Sequence, residues 1–243
     1  MAEWRARLAG LATPGLAVAT LALVPLILAA IVLRDLASGI GPGFAVLALD
    51  AVQGWAAVWL VGPVAVEAHR EALLGPPAAE AGFDYGAALV EARVLRWAWW
   101  TTVLVWGVLL PPDLLAIALG EVPAGGNPSV VAGRLVLALL AIRLLPGLAA
   151  LAMDHPAVPV AETWRLERGR WGRTVLVCAA VVAPTAALYL TSHWAGMLLG
   201  GAPGALIRAA GAALALAAGS VVLARQAALV YRDLHTNPAD RAA

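Results

Sequence analysis

The chain predicts an all-α fold: a polytopic membrane helical bundle of six transmembrane helices with cytoplasmic amphipathic elbow helices and an internal hairpin repeat. Composition is the first reason. Of 243 residues, 62% are hydrophobic and 13% charged, whereas soluble domains are about 45 to 50% apolar and about a quarter charged. Mean hydropathy is +0.85. The second reason is spacing, since the apolar residues fall into six runs, each able to cross a hydrocarbon core of about 30 Å at about 1.5 Å per residue. The third is the placement of arginine. All 16 basic residues are arginines, balanced to a net charge of +1, and they cluster in alternate connections, as the positive-inside rule requires. The whole chain, 1–243, reads as a single transmembrane domain.

The first span is expected over about 11–33, between Arg5 and Arg7 on one side and Arg34 and Asp35 on the other. It is longer than the apolar core of a signal peptide, about 7 to 15 residues, and no small-residue cleavage site follows it, so it stays attached. The remaining spans are expected over about 44–66, 95–119, 129–153, 174–195 and 203–230. With the N-terminus cytoplasmic, Arg5, Arg7, Arg70, Arg93, Arg96, Arg165, Arg168, Arg170, Arg173, Arg232 and Arg241 all lie inside, and Arg34 alone lies in an outside loop. Both termini are therefore expected inside a bacterial inner membrane. The outside connections are short and rich in Gly and Pro, as turns between antiparallel helices are.

The longer inside connections contain a repeat. Displaced by 72 positions, Arg93, Arg96, Trp99 and Pro112 fall on Arg165, Arg168, Trp171 and Pro184, and Thr102 to Val105 fall on Thr174 to Val177. The repeated unit is a short basic amphipathic helix at the membrane surface, about 85–96 and 160–170, followed by a transmembrane hairpin. Trp4-Arg5, similar to Trp164-Arg165, hints at a third, divergent copy over the N-terminal spans.

The run Ala141-Ile-Arg-Leu-Leu-Pro146, the segment Ala161-Glu-Thr-Trp-Arg-Leu-Glu-Arg-Gly-Arg-Trp171 and the closing Leu229-Val-Tyr-Arg-Asp-Leu234 resemble bacterial six-span membrane proteins of unassigned function. These include the membrane domain fused to some glycerophosphodiester phosphodiesterases. The resemblance covers about residues 85–234 and implies a fold. It implies no activity, because none of the 243 residues reads as a soluble phosphodiesterase domain.

Ionisable groups at membrane depth cost about 2.5 to 3.5 kcal/mol each on insertion scales, so they demand partners, water or a function. Asp50, Arg134 and Arg208 should share one level, about 7 to 9 Å below the outer helix ends, which Asp113 and His193 approach from the third and fifth spans. The expectation is an outer polar cluster in which Asp50 and Asp113 neutralise Arg134 and Arg208. Arg143 and Arg225 are expected as buried cations. Arg143 would satisfy carbonyls freed by Pro146 or meet a lipid phosphate, and Arg225 with Gln226 would form an inner layer with Glu67. Arg93, Arg96, Trp97, Trp99, Trp100, Trp164, Arg165, Arg168, Arg170, Trp171 and Arg173 are expected to form an interfacial collar that favours anionic headgroups. Gly211, Ala215 and Gly219, four apart, allow close helix approach within the chain or between protomers.

Chemistry is harder to place. In Glu67-Ala-His69-Arg-Glu71 the histidine points away from the two carboxylates, which argues against a metal site. Asp154-His155-Pro156 reads as a helix stop. Ser192-His193 lack the separated placement and acid partner of a triad. No P-loop, HExxH or Gly-rich dinucleotide turn occurs, and the lone Cys178 sits in an apolar run. No catalytic residue, metal or cofactor is therefore expected. Near-neutral charge argues against nucleic acid as a partner. The expected function is an accessory or scaffold role, binding lipid or another membrane protein; a small transporter or channel for an anionic or lipid-like substrate is the alternative.

Overall fold

The computed structural model describes residues 44–75, 85–120, 128–153, 163–164 and 169–236, together with positions 24 and 28. Among them the chain is helical, with no strand. Helix α1 spans Phe44–Leu74, α2 Tyr85–Leu89, α3 Ala92–Ala118, α4 Pro128–Ile142, α5 Leu145–Ala152, α6 Trp171–Leu199 and α7 Gly201–Thr236. Helices α3, α6 and the Gly201–Asp233 part of α7 are each long and apolar enough to cross a membrane, and α4 with α5 makes a fourth if the pair is one broken span. This marks the chain as a membrane protein. Helix α1, 31 residues long, occupies the place of the second expected span. Most of the first, about 11–33, lies outside the described residues, although Val24 and Leu28 are helical and pack against the core.

Several expectations need correction in detail. The elbow helix expected over 85–96 is divided: α2 ends at Leu89, and Glu91 is the extended N-cap from which α3 continues unbroken. Val90 and Glu91 return their amides to Ala87 and Ala88, which closes α2 as a single tight turn. Of the second elbow, 160–170, only Thr163, Trp164, Gly169 and Arg170 are described, the first two helical and the last two in a turn. The fourth span is bent by 49° between Ile142 and Leu145. Pro146 accounts for the bend, because it can donate no amide and takes the second position of α5, where a helix needs none.

Packing follows the small residues. Lipid chains are as apolar as leucine, so helices associate in a bilayer through close van der Waals contact and through polar pairs. Ala209, Ala213, Ala217, Val221, Ala224 and Ala228 form a buried stripe along α7. The core brings part of that stripe together with Val61, Val64, Ala65 and Ala68 of α1, Val94 and Ala98 of α3, and Leu148 and Leu151 of α5. Helix α6 lies outside this core and pairs with α7 as a hairpin. Gly200 and Gly201 make its turn at φ 62° and 55°, a region that glycine enters without steric cost. Leu176, Leu190, Met197 and Leu198 of α6 stand exposed. So much apolar surface suits lipid chains and is poorly suited to water.

Candidate functional site

The expected outer cluster is present in one part. Asp113 follows Pro111 and Pro112 on the inward face of α3, and Arg134 lies across from it on α4. Their Nη2 to Oδ2 distance is 2.6 Å, with the Asp113 side chain 3% exposed and that of Arg134 28%. A charge-assisted bond this short holds both ions at a depth where neither would stay alone. Arg208 is engaged elsewhere: its Nη1 donates to the Gly196 carbonyl at 3.2 Å and so caps the end of α6. That reach depends on the close approach of Gly196 and Gly204, where a Cβ on either residue would collide with the other's backbone oxygen. His193 stacks on Tyr189 at 6.0 Å. The Asp50 backbone belongs to α1, and its side chain lies outside the described residues.

The two expected buried cations differ from one another. Arg225 is 13% exposed and meets Glu71 at 3.3 Å, joining α7 to α1. Glu67, expected in that place, is held by Arg70 on its own helix at 3.5 Å. Arg143 is half-buried at the bend, so it is not the enclosed cation expected. It donates to the Trp164 carbonyl at 2.8 Å and lies 3.6 Å above the Trp164 ring. The bend turns its side chain toward the Trp164 segment, and the stacked indole and carbonyl take the place of a freed acceptor in its own helix.

Members of the basic aromatic collar divide the same way. Trp99, Trp100, Trp164, Trp171, Arg96 and Arg173 are exposed, Arg93 and Arg170 half-buried, and Arg165 and Arg168 lie outside the described residues. Trp171 also donates to the Leu139 carbonyl at 3.1 Å, joining α6 to α4. Trp97 is no part of the collar. It is 5% exposed and faces the bundle interior, its ring edge-on to His69 at 6.1 Å.

Trp97 and His69 belong to a cavity of about 600 Å³ among α1, α3, α5 and α7, with Arg134 of α4 and Tyr189 of α6 also lining it. Helical spacing builds its walls. Trp97, Thr101, Val105 and Leu109 recur every fourth residue along one face of α3, and Gly54, Val58, Val61 and His69 share one face of α1. The remaining wall comes from α5 and from the stretch of α7 that includes Leu216, Ser220 and Leu223. Two of its lining residues, Tyr189 and Leu216, are 45% and 43% exposed, so the cavity is partly open. Its lining is mostly apolar; His69, Trp97 and Thr101 line it beside the end of α1 and the start of α3, Arg134 and Tyr189 from the start of α4 and the second half of α6, and Ser220 from the middle of α7. From Gly54 to His69 the α1 wall is about 22 Å long.

The polar end at His69 is unsatisfied. Among the described residues neither ring nitrogen of His69 has a hydrogen-bond partner, nor do Trp97 Nε1 and Thr101 Oγ1. Sequence reasoning weighed His69 only as a metal ligand and missed Thr101 altogether. The signal was the spacing: Trp97 and Thr101 fall one turn apart on the same face as Val105. Among the described residues no three His, Cys, Asp or Glu side chains gather as a metal set. No protein-family profile, curated protein or solved structure matches the chain.

Proposed function

We propose that this protein is a six-span accessory protein of the bacterial inner membrane, with both termini cytoplasmic, that holds a membrane lipid between its helices. The partly open, mostly apolar cavity beside His69 and Trp97 is the observation that carries this reading. Its volume is within the range of about 300 to 1,000 Å³ typical of small-molecule sites. A cleft of this kind facing a bilayer would admit an acyl chain directly from the surrounding lipid. The ion pairs Arg134–Asp113 and Arg225–Glu71 hold the bundle around it, and the arginines and tryptophans exposed near the start of α3 and α6 would anchor it among anionic headgroups.

Purification in mild detergent followed by native mass spectrometry tests the proposal. A lipid retained at one copy per chain is expected, and Ala57→Trp, which places an indole in the cavity, should remove it. Retention of the same lipid in the Ala57→Trp protein would place it outside the cavity. A transporter of lipid-like substrate is favoured by one observation, namely that the cavity touches polar groups toward both ends. Flux across reconstituted vesicles, abolished by Ala57→Trp, separates transport from simple retention.

A further inference from the structure

We infer that the His69 end of the cavity recognises the head of a neutral, hydroxyl-bearing single-chain lipid, an inference that rests on the lipid-binding reading above. Four buried polar atoms of residues that line the cavity have no partner among the described residues: both His69 ring nitrogens, Trp97 Nε1 and Thr101 Oγ1. His69 is 1% exposed and lines the cavity. Buried donors and acceptors are almost always paired, and each one left unpaired costs stability. A ligand that pairs them would therefore be held by groups the fold has already desolvated.

The hydrogen-bond inventory defines the head. Burial among apolar atoms with no carboxylate bonded to it leaves the imidazole neutral, so one nitrogen donates and the other accepts. The Trp97 indole can only donate, and the Thr101 hydroxyl does either. A hydroxyl group complements this set because it accepts from Trp97 or His69 while donating to His69 or Thr101. A phosphate or carboxylate head would arrive without a counter-ion, since Arg70 is bonded to Glu67 and Arg225 to Glu71. An ammonium head would lack a carboxylate for the same reason. The chain would extend along Val58 and Val61 toward Leu109, away from the polar end.

Three photoactivatable probes with the same hexadecyl chain and a diazirine midway along it test the inference: the alcohol, its phosphate ester, and the hydrocarbon without a head. Each is added to the full chain in nanodiscs, and labelled peptides are mapped. The alcohol should label α1 and α7 at the cavity in preference to the other two. His69→Leu and Thr101→Val should each reduce that labelling about tenfold, the loss expected for a buried hydrogen bond. His69→Gln, which keeps a donor and an acceptor, should retain most of it. Size-exclusion profiles and helicity identify any variant that fails to fold, and Thr101→Val supplies the result if His69→Leu does. Preferential labelling by the phosphate ester, lost in an Arg134→Gln/Asp113→Asn protein, would overturn the assignment of the head while leaving lipid binding intact. Equal labelling by all three probes, unaffected by His69→Leu, would also overturn it. Absence of cavity labelling by any probe would overturn the lipid-binding reading itself.

Discussion

The Asp113–Arg134 contact shows what a single ion pair can do at membrane depth. Asp113 is almost wholly enclosed and Arg134 about a quarter exposed, so removing either one strands its partner. Asp113→Ala should destabilise the bundle by about 3 kcal/mol, the low end for breaking a buried pair because Arg134 retains some access to solvent or headgroups. The double substitution Asp113→Leu/Arg134→Met should cost less than the single one, since no charge is then left unpaired. Chemical unfolding in detergent micelles, monitored by circular dichroism, measures both; an equal loss in the two proteins would contradict the pairing. The sequence showed which ionisable residues stand within apolar runs, because that is position along the chain. It grouped Asp113 with Arg134 but did not fix the other partners. Glu67 and Glu71 lie one turn apart on α1, and only the rotation of α7 against α1 puts Arg225 on Glu71. Trp97 was misplaced for a related reason: next to Trp99 and Trp100 it looks like an anchor, but successive helical positions point in different directions, and Trp97 points inward.

Helices were legible where apolar runs were long and their ends were marked by Arg, Gly or Pro. The long α3, α6 and α7 cover the runs expected for the third, fifth and sixth spans. Breaks within a run were less legible. The division after Leu89 depends on local backbone pairing that hydrophobicity does not register, whereas the 49° bend near Arg143 follows from Pro146, which marks it in the sequence without interrupting the apolar run. The small-residue stripe on α7 was read as a close-packing face, and the structure places Gly211 against Ser192 and Gly219 against Thr185, both on α6 of the same chain. The two contacts differ in tightness. A Cβ at Gly211 would collide with the Ser192 side chain, whereas one at Gly219 would find Thr185 Oγ1 at 3.3 Å. Gly211→Ala should therefore cost about 1 to 3 kcal/mol, as overpacking does, while Gly219→Ala, whose neighbour needs to yield by only a few tenths of an ångström, should be close to neutral. Gly211→Ala/Ser192→Gly should recover most of the loss. Melting temperatures of the four proteins in one detergent decide the matter, and a Gly211→Ala protein as stable as the parent would mean that α6 and α7 lie farther apart.

Across the whole molecule, charge and packing impose the same polarity. Exposed Arg96, Arg173 and Arg232 lie near the start of α3, the start of α6 and the end of α7. The opposite ends of these helices present Leu119 and Leu198, 69% and 87% exposed, with the glycine turn between α6 and α7. Holding arginines on the side where the chain is made is what orients a polytopic protein, so the arginine-bearing end should face the cytoplasm. In a Cys178→Ala background, which removes the buried native thiol, single cysteines at Gly172 and Asp233 should resist a membrane-impermeant maleimide added to intact cells and react after lysis. Cysteines at Leu119 and Leu198 should react before lysis. Gly172 is suited to this because a side chain there meets open space. The opposite pattern would invert the bundle, placing the Arg134 end of the cavity toward the cytoplasm and the His69 end toward the periplasm. Reaction at all four positions from outside would contradict a transmembrane α6 and α7, because Gly172 and Leu198 lie at opposite ends of α6, and Asp233 lies at the end of α7 away from the α6–α7 turn.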